Sequence, residues 1–60
     1  MEADLIYYAR RSAQERAAAA VTLHEKARLA HLELARCYAE QIATLEAERR
    51  RAEFYVVSAA

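Results

Sequence analysis

The chain has 60 residues, nine basic against nine acidic side chains, one cysteine, and neither glycine nor proline. An average composition would supply about seven glycines and prolines together. Their absence removes the residues that break helices or reverse a chain at low cost, and 16 alanines stand in their place. These figures exclude a glycine-rich phosphate loop and an intrachain disulfide. The balanced charge also argues against a general nucleic-acid binder, which carries a basic excess. An all-α chain with at most one or two reversals is expected.

The first helix is expected over about residues 3–20. At 100° per residue, Leu5, Ile6, Ala9, Ala13, Ala17 and Ala20 share one face. Arg10, Arg11, Gln14 and Glu15 fall away from it, and Arg16 reaches its rim with the stem packed and the head in water. A face built mostly of alanine supplies little core but lets another helix approach closely.

Val21 and Thr22 weaken a helix locally because they are β-branched. Thr22 followed by Glu25 has capping-box spacing, with the hydroxyl accepting from the Glu25 N–H and the carboxylate returning to the Thr22 N–H. A break here makes a hairpin. The alternative is a single uninterrupted helix in a coiled-coil assembly.

The second helix is expected over about 23–52. Ala27, His31, Leu34, Tyr38, Ile42 and Leu45 form its stripe, widened by Ala30, Ala35 and Ala39. Lys26, Glu33, Arg36, Glu40 and Thr44 lie opposite, with Leu29 among them and Leu32 at the margin. Glu46/Arg50, Glu25/Arg28, Glu33/Arg36 and Glu48/Arg51 are spaced for ion pairs along the helix. After Arg51 the character changes. Phe54-Tyr55-Val56-Val57 suits a strand or an extended apolar arm.

Helices of about 18 and 30 residues would differ in length by roughly 18 Å. A hairpin of that shape cannot cover its own overhang, and a second copy can. The expected architecture is therefore a helical hairpin that pairs as a homodimer into a four-helix bundle. Its interface draws on Ile6, Ala9, Ala13, His31, Leu34, Tyr38, Ile42, Leu45, Phe54 and Val56. A dimer and a higher oligomer both satisfy this reasoning, and a helical protein partner could use the same faces.

No constellation of residues carries catalysis. His24 and His31 are seven residues apart, about 10 Å along an axis, too far for one metal ion. His24-Glu25 begins a zinc-helix pattern, but position 28 is arginine. His31 is expected in the bundle seam, where a histidine is a pH-sensitive element. Cys37 has no base placed beside it by spacing and is expected to be a small apolar helix residue. No cofactor, metal or small-molecule substrate is expected, and the protein is not expected to be an enzyme. The acidic start, Met1-Glu2-Ala3-Asp4, is unlike a secretory signal, and no stretch approaches a membrane span, so a cytoplasmic location is expected. The leading expectation is a non-catalytic, homo-oligomerising protein-protein interaction or regulatory module; the alternative is a small nucleic-acid-associated regulator using Arg10, Arg11, Arg49, Arg50 and Arg51. Glu46, Glu48 and Glu53 around the arginine triplet make a salt-bridged solvent face the simpler expectation.

The runs Tyr7-Tyr8-x-Arg10-Arg11, Glu15-Arg16-x-Ala18-Ala19 and His31-Leu32-x-Leu34-Ala35-x-x-Tyr38 form a pattern over positions 7 to 38. It resembles short uncharacterised bacterial proteins of two helices. The resemblance implies a helical hairpin and carries no activity.

Overall fold

The computed structural model describes residues 2–59, and side chains over residues 3–55. Two helices pack against each other: α1, Glu2–Val21, and α2, Glu25–Ala59. Among the described residues there is no strand. The hairpin is elongated, 55 × 16 × 11 Å, with a radius of gyration of 15.5 Å. A compact chain of this length would have a radius near 10 Å.

The reversal takes three residues, 22–24, with no positive φ among the described residues. Its chemistry differs from the expected capping box. The Thr22 N–H donates to the Ala18 carbonyl at 3.1 Å and so completes α1. The Arg28 N–H donates to the His24 carbonyl at 2.9 Å, which makes His24 the cap position of α2. The Thr22 hydroxyl accepts from the His24 N–H at 3.3 Å, and the Glu25 carboxylate pairs with Arg28. With its own N–H already used, Thr22 left nothing for Glu25 to cap.

A register argument explains why the chain must break. The positions of α1 on the inward line are Leu5, Tyr8, Ser12, Glu15 and Ala19, and Thr22 just beyond it continues their steps of three and four. Continued without a break, these steps would reach Lys26 and Leu29, which are exposed. The inward positions of α2 are Ala27, Arg28, His31, Ala35, Tyr38, Ile42 and Leu45. From Arg28 onward they are displaced by two residues from the first series, about 200° around a helix. An uninterrupted rod would set the two seams on nearly opposite sides.

Three expectations need correction. The seam of α1 is not the alanine stripe: Ile6 is 59 % exposed, and Ala9, Ala13, Ala17 and Ala20 face outward. Glu15, expected to point away, is buried, because α2 presents polar partners to it. On α2 the stripe is largely as expected, but Ala35 is its buried centre and Leu34 is 44 % exposed. The C-terminal segment is not an extended arm. α2 runs on to Ala59, since Glu46–Glu53 is strongly helix-forming and no glycine or proline stops it. Phe54 and Tyr55 are exposed on it; the side chain of Val56 lies outside the described residues.

Replacing Thr22 tests the reversal. Thr22→Ala removes the acceptor for the His24 N–H and is expected to cost about 0.5–1 kcal/mol. In a rod, alanine would be the better helix former and the change would stabilise. Thermal unfolding followed by circular dichroism reads the sign.

Candidate functional site

The contact between the helices is polar at its centre. Among the described residues, four side chains are buried: Ser12 and Glu15 at 2 % and 7 % exposure, Ala19 and Ala35 at 4 % each. Alanine and serine hold no bulk between the backbones, so the helices come close enough for Ser12 Oγ to donate to the Ala35 carbonyl at 3.3 Å. That carbonyl already accepts within its own helix, and the serine uses its second lone pair.

One turn along α1, the Glu15 carboxylate is held from both helices. Its Oε1 accepts from His31 Nδ1 at 2.6 Å, and its Oε2 from Arg11 Nη2 at 2.6 Å. Because a carboxylate only accepts, His31 Nδ1 carries the proton of this hydrogen bond. The hydrogen bond from His31 and the charge of Arg11 hold the Glu15 carboxyl below the usual carboxylate range, against the burial that pulls it up. Arg11 also donates to Gln14 Oε1 at 2.5 Å and to the Tyr38 hydroxyl at 3.4 Å. Its guanidinium lies 5.5 Å from the centre of the Tyr38 ring. The Tyr38 bond, followed by nearby charges, raises the Arg11 pKa further above its ordinary value. Tyr8 extends the cluster, 6.0 Å from Tyr38 and 5.5 Å from Tyr7 between ring centres. No buried side-chain N or O among the described residues lacks a partner.

The Glu15 carboxylate, the Arg11 guanidinium and the Ser12 hydroxyl each have a partner within the hairpin. Cys37 is exposed on another side of α2. Among the described residues no three His, Cys, Asp or Glu side chains group as a metal site would require. Ser12, Glu15 and Arg11 do not stand out in the sequence as seam residues, because an apolar stripe does not include them. The signal was present: the same three-and-four spacing joins Leu5, Tyr8, Ser12, Glu15, Ala19 and Thr22.

The residues proposed for self-association divide. His31 and Tyr38 serve the contact within the chain, while Ile42 and Leu45 are half-buried near the start of α1. Ile6, Ala9, Ala13, Leu34 and Phe54 face outward. The arginines divide as well. Arg11 is committed to the seam and Arg49 donates to Glu53 at 3.3 Å, whereas Arg10, Arg50 and Arg51 are exposed without an ion pair among the described residues. Outside the seam, Arg28–Glu25 and Arg36–Glu33 pair as spaced, and Arg36 also pairs with Glu40. Glu46/Arg50 and Glu48/Arg51 do not pair. No described helix is long and apolar enough to cross a membrane. Neither protein-family models, nor characterised proteins, nor solved structures include a match to this chain.

The Glu15 clamp predicts a pH dependence. A carboxyl with a lowered folded-state pKa contributes stability that is present above its ordinary value of 4.5 and is lost as pH falls through the folded value. Glu15→Gln keeps an oxygen for His31 but removes the charge that faces Arg11. The variant is expected to have a lower urea midpoint than the natural chain at neutral pH. The two midpoints should converge as the pH is taken well below 4.5. A constant gap would mean that the charge of Glu15 contributes nothing.

Proposed function

We propose that this protein is a non-catalytic helical module that acts by associating with copies of itself and, through the same outward faces, with a helical protein partner. The observation that carries the reading is the poverty of the monomer's core. Only two apolar side chains, both alanine, are buried among the described residues. The remaining large apolar side chains are half-buried at best, and Ile6, Tyr7, Val21, Leu23, Leu29, Leu32, Leu34, Phe54 and Tyr55 are exposed. A single core in a chain this short rarely supplies more than about 3–5 kcal/mol, and partner chains are one remedy.

The exposed area supports the same reading. The chain presents 4872 Å² to solvent. A compact monomer of its mass would present about 4000 Å². The difference of roughly 900 Å² is close to one partner's share of a standard protein interface, about 800 Å². A two-fold pair of hairpins that buried it would be a four-helix bundle.

A nucleic-acid-associated role draws its support from Arg10, Arg50 and Arg51, which are exposed. It is the weaker reading, because Arg11 and Arg49 are engaged with Glu15 and Glu53 and the net charge is zero.

Light scattering at micromolar concentration tests the proposal. The expected mass is about twice the 6.8 kDa of the chain, or a larger multiple. The melting temperature should rise with protein concentration, since association and folding are coupled. A stable monomer with a concentration-independent melting temperature would overturn the reading.

A further inference from the structure

The fold sets the two histidines of the chain apart. His24 lies exposed in the reversal, and its ring bonds to no carboxylate among the described residues. His31 lies in the seam, its side chain 35 % exposed, with Nδ1 held at 2.6 Å by Glu15. In a neutral ring that donates from Nδ1, the lone pair is left on Nε2. His31 Nε2 has no hydrogen-bond partner among the described residues, and no buried side-chain nitrogen there lacks one, so solvent reaches Nε2. The residues one turn to either side on α2, Ala27 and Ala35, are too small to cover the ring. The outcome is an open imidazole nitrogen whose opposite nitrogen points at a buried carboxylate. When an electrophile bonds to Nε2, positive charge develops on the ring, and Glu15 is already placed to stabilise it.

We propose that His31 Nε2 is a phosphoryl acceptor, charged by a donor of the phosphoramidate class, in which nitrogen carries the phosphoryl group. The Nε2 lone pair forms the new N–P bond while the donor's N–P bond breaks. The electron pair of the broken bond stays on the donor's protonated nitrogen, which departs as a neutral amine. One N–P bond replaces another, so the exchange needs no oxidant and no further co-reactant. The Nδ1 proton remains directed at Glu15, and the tie between the helices survives. The same reaction at Nδ1 would break that tie and leave Glu15 with Arg11 alone. Arg28 favours a phosphoryl group over an uncharged acyl group. It stands one turn before His31 on α2, paired at the surface with Glu25, and a phosphoryl dianion on Nε2 would compete for its guanidinium. The proposal does not depend on self-association.

Potassium phosphoramidate is the probe, applied to the full chain at neutral pH. Electron-transfer fragmentation without acid reads the phosphoryl group at each histidine, and phosphorus NMR reports which ring nitrogen carries it. His31 should be modified about tenfold or more faster than His24, and on Nε2, because a carboxylate at hydrogen-bond distance in a part-buried site stabilises the developing charge. Exposure alone predicts the reverse order, since His24 is the more accessible residue. In urea that unfolds the hairpin the two rates should meet. In Glu15→Gln an amide oxygen can still accept from Nδ1 but the charge is gone, and the His31 rate should fall toward that of His24. Equal rates in the folded natural chain, or a phosphoryl group on Nδ1 of His31, would overturn the proposal. So would a Glu15→Gln chain that keeps both its helix content by circular dichroism and the natural rate at His31. If that variant unfolds, the urea comparison decides alone: a preference for His31 that persists in urea overturns the proposal, and one that vanishes supports it.

Discussion

The hairpin depends on a buried carboxylate. Glu15 is nearly inaccessible to water, and an isolated charge in such a place would be strongly unfavourable. It is tolerated because Arg11 reaches it along α1 and His31 reaches it from α2. The first of these partners is available in any helical state of α1. The second exists only when α2 lies antiparallel at one register. Sliding the helices by one turn would leave the carboxylate buried without its imidazole, and the Ser12 hydroxyl without the Ala35 carbonyl. The polar seam thus supplies specificity of register, while the alanines beside it supply the close approach that makes the bonds short enough to form.

That solution has a consequence for everything outside the seam. Small residues bring helices together but bury little apolar area. Several of the larger apolar side chains, among them Ile6, Leu29, Leu34 and Phe54, are left on the outer surfaces, and α2 outruns α1 by 15 residues. The outward-facing Ile6, Ala9 and Ala13 and the uncovered end of α2 are thus two aspects of one design. The contact within the chain sets geometry and leaves large apolar side chains such as Ile6, Leu29, Leu34 and Phe54 exposed.

Much of this was legible in the sequence, and the errors have a common cause. The absence of glycine and proline, with the β-branched pair at Val21 and Thr22, located both helices and the break. The stripe on α2 was readable because Tyr38, Ile42 and Leu45 are large and their opposite face is charged. On α1 the same reasoning chose the wrong side. Ile6, Ala9 and Ala13 are more apolar than Tyr8, Ser12 and Glu15, yet the polar set is the one that faces α2, because His31 and Tyr38 wait there. Apolarity ranks faces by their cost in water alone. It does not register that two polar faces can satisfy each other. The same limitation applies to the C-terminal segment. Phe54-Tyr55-Val56-Val57 taken alone favours extended backbone, but it follows a helix already propagating, and extension costs far less than nucleation.

The most direct test of this account asks which side of α1 faces α2. In a Cys37→Ser background, Ser12→Cys with Ala35→Cys places two thiols across the seam, whereas Ala13→Cys with Ala35→Cys places one of them on the outward face. Under mild oxidation the first pair should close into a disulfide within one chain, read as a faster-migrating monomer on a non-reducing gel, and the second pair should not. Closure of the Ala13 pair with the Ser12 pair left open would contradict the account, because it would put the alanine face inside and turn Glu15 out to solvent.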